Sequence, residues 1–213
     1  MTAFRAIHLD EVEPLRSQHG CGVQLIRRTL GITAFGVNAY RAEAAGGQVI
    51  EEHDELGAGA GLHEELYVVQ SGHAVFTIGG VEHDAPAGTL VFVSDPAARR
   101  GALAAEAGTV VLVIGGQVGE PYLTPAWEAW FAAQKRADVG DTEGAIAILA
   151  EEQAARPDNA TTLYNRACFE ALGGRREAAL AHVVEAIERD PKLAEFARTD
   201  TDLDTLRDDP RLQ

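Results

Sequence analysis

His53, Glu55, His63, Glu65 and Arg99 are the residues whose types and spacing bear most on chemistry. They fall in two acidic stretches, His53-Asp54-Glu55 and His63-Glu64-Glu65, and in a basic pair, Arg99-Arg100. Neutral imidazoles and carboxylates converging on one point can hold divalent iron, manganese, nickel or zinc and leave positions open for a substrate. His63 and Glu65 stand two apart at the expected start of a strand, so they face the same side. An arginine in such a cluster acts differently. It stays protonated, cannot ligate a metal, repels a cation and attracts a carboxylate. Three readings follow and stay open at this point. Glu65 and Arg99 form an internal ion pair with no catalysis. Alternatively, the pocket takes a small polar or anionic ligand without metal, with Arg99 or Arg100 gripping a carboxylate or phosphate. In the third reading, His53, Glu55, His63 and Glu65 assemble a metal site.

The other reactive side chains belong to no such pattern. His8 and His19 lie outside any motif, His73 and His83 sit beside turn glycines, and His182 falls in an expected helix. Cys21 and Cys168 are far apart without ligand spacing, which favours two free thiols, and Cys168 between Ala167 and Phe169 reads as buried packing. No Gly-x-x-x-x-Gly-Lys-Ser/Thr phosphate loop and no Gly-x-Ser-x-Gly nucleophile turn is present.

Two kinds of elements must carry these residues. Up to about residue 117 the chain reads as β structure, with short apolar or alternating runs at 4–9, 23–28, 35–43, 66–70, 74–78, 90–93 and 109–114, separated by glycine-containing breaks. Tyr67 and Phe76 are expected to fill the interior. After Gly119-Glu120-Pro121 alanine and charge dominate, and apolar residues recur at three and four, which is helical spacing. Thr124 is an expected N-cap with Pro125 at the first helical position. Trp127 and Trp130 are expected to pack that first helix. Ala133, Gly140, Ala145 and Pro157 recur as Ala167, Gly174, Ala179 and Pro191, each offset by 34 residues. Each unit is therefore expected to be two helices with a glycine turn between them and a proline after the second. The tail 196–213 is expected to cap an apolar helix face.

The net charge of -15 is shared: residues 1–118 hold 7 basic and 14 acidic side chains, and residues 119–213 hold 11 and 19. Neither half offers the positive surface that a phosphate backbone needs, so no nucleic-acid partner is expected. No apolar run approaches the roughly 20 residues of a membrane span, so no membrane partner is expected either. The stretch from Met1 to Asp10 lacks the basic start and apolar core of a signal peptide, and the expected location is the cytoplasm.

The β half resembles the cupin family over roughly residues 45–115. The family's first motif runs Gly, five residues, His-x-His, three or four residues, Glu, six residues, Gly. Here five residues separate Gly47 from His53, Glu55 replaces the second histidine, nine residues including Gly57 to Gly61 separate Glu55 from Glu65, and Gly72 follows after six more. In the second motif Gly88 is kept, Ser94 and Pro96 replace proline and glycine, Arg99 takes the place of the metal-binding histidine, and Leu103 that of the asparagine. The helical half resembles two tetratricopeptide units over about 126–194, the first degenerate at Glu152, and the tail resembles the closing segment that follows such repeats in some bacterial proteins.

These resemblances imply a β + α protein of two domains. A cupin jelly-roll β-barrel would span 1–120, and an all-α tetratricopeptide-like repeat with its closing tail 121–213. They further imply a non-catalytic binding or regulatory module with a pocket of His53, Glu55, His63, Glu65 and Arg99 and no favoured metal. The helical repeat would contact a protein or a second copy, and a homodimer is expected. The alternative is a metal-dependent dioxygenase or isomerase using iron, manganese, nickel or zinc held by His53, Glu55, His63 and Glu65.

Overall fold

A computed structural model describes residues 4–16, 21–57, 60–122 and 124–212. His19, Ala58 and Gly59 lie outside the described residues. The chain divides into two compact units, Met1–Thr124 and Pro125–Gln213.

The first unit is a β-sandwich with ten strands among the described residues. They are β1 (Leu15–Arg16), β2 (Cys21–Gln24), β3 (Gly36–Ala42), β4 (Gln48–His53), β5 (Glu64–Ser71), β6 (His73–Ile78), β7 (Val81–Pro86), β8 (Leu90–Val93), β9 (Arg100–Ala104) and β10 (Val110–Gly116). One sheet has the order β1-β2-β3-β10-β5-β8 and the other β4-β9-β6-β7, and every pairing is antiparallel. The expected closed barrel is corrected here: among the described residues no ladder joins the two sheets. Tyr67, Val69 and Val111 from one sheet meet Val49, Phe76 and Ala102 from the other to form the core.

Gly72 shows how local sequence makes a sandwich. It sits between β5 and β6, where the chain leaves one sheet for the other. Its φ is +73°, and a Cβ there would lie 2.7 Å from the Thr109 Cα. Both the left-handed backbone and the close approach require glycine. Two expected runs fold otherwise. Residues 4–9 lead into a 3-10 turn at Leu9–Glu11, and 23–28 splits between β2 and a short helix α1 (Ile26–Leu30). Strands β4, β7 and β9 lacked an apolar signal because β4 ends on Glu51-Glu52-His53, β7 is polar (Val81-Glu82-His83-Asp84) and β9 opens on an arginine.

The second unit contains helices α2 (Ala126–Asp138), α3 (Thr142–Ala155), α4 (Ala160–Leu172), α5 (Arg176–Arg189) and α6 (Leu193–Thr199). The start and end of α2 recur in α4, and those of α3 in α5, each 34 residues on. Gly140 and Gly174 take φ +82° and +74° at the two turns, a conformation open to glycine without a Cβ penalty. Pro157 and Pro191 follow the last helical residues by two. Pro125, not Thr124, holds the cap position of α2. Trp127 and Trp130 both meet Phe131 edge-on. The tail turns into a 3-10 segment, Thr201–Leu206, whose Leu203 and Leu206 are buried with Leu163, Leu180 and Val183, so it closes the apolar face of α4 and α5. Among the described residues no helix is long and apolar enough to cross a membrane. Cys21 and Cys168 are both free and buried. Burial pushes the Cys21 thiol up to about 11 and the Cys168 thiol higher still.

Candidate functional site

Among the described residues, the sandwich interior holds a charged cluster built from three strands. His53 ends β4 and lies opposite Arg100, the first residue of β9. Glu65 and Tyr67 sit two apart on β5 and point to the same face. Arg100 is 0% exposed. Its Nε donates to Glu65 Oε2 at 3.1 Å and to the Tyr67 hydroxyl at 3.3 Å, and its Nη2 donates to Glu65 Oε2 at 2.7 Å. Its Nη1 donates to the carbonyls of Pro96 (3.1 Å) and Ala98 (3.0 Å). The Tyr67 hydroxyl donates a short hydrogen bond to the same Glu65 oxygen. His53 Nε2 lies 3.6 Å from that oxygen and 3.9 Å from Glu55 Oε1, while His53 Nδ1 meets the Glu51 carbonyl at 2.7 Å.

Electrostatics follow from this geometry. Burial alone would raise the Glu65 pKa, but hydrogen bonds from His53, Tyr67 and Arg100 overcome it and hold the carboxyl at about 2. Burial opposes the imidazolium of His53, yet the Glu65 carboxylate and the Glu51 carbonyl push its pKa up. The Tyr67 phenol is pushed up by burial and by the Glu65 charge, so it remains a donor.

Glu55 and His63 serve a different end of the cluster. The Glu55 carboxylate accepts the backbone N–H of Gly61 at 2.9 Å and of His63 at 3.5 Å, and the His63 ring nitrogen lies 3.4 Å away. It thereby ties down the end of the glycine-rich spacer, where Leu62 takes φ +53°. The His63 ring stacks on Tyr122 at 5.3 Å, and Tyr122 sits over Gly36, where a Cβ would meet its ring at 2.9 Å.

Arg99 stands apart from this group. Its side chain is 59% exposed and donates to Glu52 at 3.2 Å on the surface. Neighbours on a strand face opposite ways, so a shift of one residue exchanges inside for outside. The place expected for Arg99 belongs to Arg100. Register irregularities in the β4–β9 ladder, which motif counting cannot see, accompany the shift. Tyr67 was expected as core filling and in addition orders the charges. Tyr122 carried no signal, because its role depends on a contact distant in sequence. Asn38 was missed too: its amide oxygen is buried without a hydrogen-bond partner, in the inward row that runs through Val113 to Tyr67.

The ligand atoms of His53, Glu55 and Glu65 lie within 4.8 Å of one another and form a group of a kind that can hold a metal ion. His63 is not in that group. The donor types suit a divalent ion, but the Glu65 oxygen nearest His53 already accepts from Arg100 twice and from Tyr67. A guanidinium 2.7 Å away both occupies that oxygen and repels an incoming cation. As arranged, the cluster therefore fits an internal ion pair better than a metal.

No protein-family model and no curated protein matches this chain. Solved structures do resemble it. A cupin protein from Bacteroides fragilis is 21% identical over 58% of this chain and 93% of its own, with a TM-score of 0.42. A Cupin 2 conserved barrel domain protein from Salinispora arenicola is 17% identical over 55% and 92%, with a TM-score of 0.44. A sugar phosphate isomerase from a cupin superfamily, from Silicibacter pomeroyi, is 19% identical over 54% and 76%, also at 0.44. At such identities and scores, function has to be argued from the residues themselves.

Proposed function

We propose that the β unit is a cupin-type binding module whose interior charge is balanced by Arg100 in place of a metal ion. The helical unit, in this reading, is a pair of tetratricopeptide-like repeats that contacts protein. The engagement of the Arg100 guanidinium carries the first part: Nε, Nη1 and Nη2 each donate to protein oxygens. Four of its five N–H groups are taken and Nη2 also lies 4.0 Å from Glu55 Oε1, so little is left for a carboxylate or phosphate ligand. The ligand is therefore a small polar molecule without negative charge that supplies hydrogen-bond donors, since the groups facing it are carboxylates. The 34-residue recurrence of helix boundaries, turn glycines and closing prolines supports the second part.

Elemental analysis of protein purified without added metal tests the first part. The expected result is transition metal far below one ion per chain, unchanged in Glu65→Ala. Near-stoichiometric metal that disappears in Glu65→Ala would overturn the reading. It would favour a second one, a divalent-metal enzyme of dioxygenase or isomerase type, which rests on the convergence of His53, Glu55 and Glu65.

A further inference from the structure

We infer, on the reading of Arg100 as the interior counter-charge, that Asn38 is the second anchor of the same site and that the ligand is a neutral polyol long enough to reach from Glu65 to Asn38.

Asn38 is 5% exposed, and its amide oxygen is buried without a hydrogen-bond partner. Such a group loses its hydration and gains nothing from the protein in exchange, so its presence calls for a cause. Gln24 and Gln153 also bury an unpaired amide oxygen, but each donates its amide nitrogen to two backbone carbonyls. Those two side chains are ties between segments. Among the described residues the Asn38 amide ties nothing to the sandwich. A leucine would fill the same place without an orphaned atom. The polar side chain therefore answers to something other than packing.

Its position says to what. Asn38 pairs with Val113, and Val113 with Tyr67, so the three share the inward face of one sheet. Glu65 stands two residues before Tyr67 on that face. Val113 points inward between the two polar ends and is still only partly buried. Room therefore remains above it. On the next row Gly36 and Gly115 pair without side chains. The Tyr122 ring takes the space over Gly36, and Glu65 and His63 that over Gly115, which walls the outer end.

The chemistry of the two ends selects a hydroxyl. Every hydrogen bond given to the Glu65 carboxylate among the described residues falls on Oε2, which leaves Oε1 to accept from a ligand. The amide of Asn38 both donates and accepts. A hydroxyl donates to the carboxylate and meets either end of the amide, so exchanging the amide's nitrogen and oxygen alters nothing. An ammonium would suit the carboxylates but meets the buried Arg100 charge. Spacing selects the length. Two ladder spacings of about 5 Å and a two-residue step of about 7 Å put the Cα atoms of Asn38 and Glu65 about 12 Å apart. With both side chains reaching into one space and a hydrogen bond of about 2.8 Å at each end, the ligand's outer hydroxyls stand about 5–7 Å apart. Xylitol spans that; ethylene glycol does not.

Calorimetric titration of the full chain with xylitol and with ethylene glycol tests the proposal, on the wild type and on Asn38→Leu. Xylitol is expected to bind the wild type, and Asn38→Leu at least about tenfold more weakly. Any affinity for ethylene glycol is expected to be equal in the two proteins. The ligand-free proteins give a second arm. Asn38→Leu removes an orphaned polar group, so its urea midpoint, read by amide exchange of β3 and β10, should equal or exceed that of the wild type. A side chain kept for the fold would lower it. The proposal is overturned by a wild type that ignores xylitol, by xylitol affinity indifferent to Asn38→Leu, by an equal loss for both probes, or by a lowered midpoint. Near-stoichiometric metal in the purified protein would instead remove the reading of Arg100 beneath it, whereas metal-free protein that ignores xylitol removes this proposal alone.

Discussion

Arg100→Met is the perturbation on which the reading of the interior stands or falls. The side chain is fully buried and makes five hydrogen bonds, two of them to Glu65 Oε2. Methionine approximates its volume and removes its charge. The change leaves the Glu65 carboxylate buried with only Tyr67 and His53 against it. Removing one partner of a buried ion pair destabilises by about 3–5 kcal/mol. Glu65→Gln should destabilise by about 2–3 kcal/mol, because a neutral amide still accepts from the guanidinium. Arg100→Met combined with Glu65→Gln should fall well short of the sum, with a coupling of about 1–3 kcal/mol. The assay must report the β unit. Trp127 and Trp130 lie in α2, so tryptophan fluorescence would follow the helical unit instead. Amide exchange of β5 and β9 along a urea series, read by mass spectrometry, gives the free energy where the pair sits. A single-variant loss below about 1 kcal/mol, or strict additivity in the double variant, would refute a buried, coupled pair.

The pH dependence has two limbs of opposite sign. Glu65 is held at about 2, below its ordinary 4.5. Its stabilisation is present above 4.5 and is lost as pH falls toward 2, and Glu65→Gln should flatten that acid limb in a melting series. His53 is raised above its ordinary 6.5. Its contribution is complete below 6.5 and is lost as pH rises through the folded value, so His53→Gln should remove that limb. Arg99→His should bring no nickel affinity over wild type by calorimetric titration, because residue 99 faces out. Arg100→His should bring a measurable gain, since it places an imidazole opposite His53 and frees Glu65. Gly72→Ala should lower the stability of the β unit by about 1–3 kcal/mol in the same exchange assay, through its φ of +73° and the Thr109 contact; an unchanged value would mean that the turn relaxes at no cost.

The helical half was the more legible in the sequence. A 34-residue offset survives in single residue types because each turn needs a left-handed glycine and each second helix is followed by proline, so Gly140, Gly174, Pro157 and Pro191 mark boundaries directly. In the β half, glycine breaks and apolar or alternating runs revealed β3, β5, β6, β8 and β10. They could not reveal that the sheets stay open, since closure depends on pairings between distant segments. The candidate site was legible in its composition and mistaken in its register. His53, Glu55 and Glu65 do converge, and His63 reaches Glu55, but counting motif positions put Arg99 where the strand puts Arg100.

That single-residue difference changes what the cluster is. An arginine at the rim, such as Arg99 beside Glu52, is solvated and worth little to stability. The same side chain one position on is desolvated and has to be matched by Glu65, Tyr67 and two carbonyls before burial becomes tolerable. A metal ion could also match a buried carboxylate, but it can dissociate and it competes with protons for its ligands. A guanidinium tethered to β9 does neither. Its charge persists at any pH the protein meets, and its geometry is set when β9 pairs with β4 and β6. In the proposed reading the interior charge of the sandwich is balanced as the strands pair, without a metal ion. What remains adjustable is His53, at the end of β4 and half-buried. A polar ligand that offers donors to Glu55 and Glu65 would take over the positions its imidazolium now supplies, so ligand affinity should rise as pH increases and His53 loses its proton. Calorimetry with a bound polar ligand at pH values either side of that transition measures this directly. An affinity that instead falls on deprotonation would show that the ligand accepts from His53 and does not replace it.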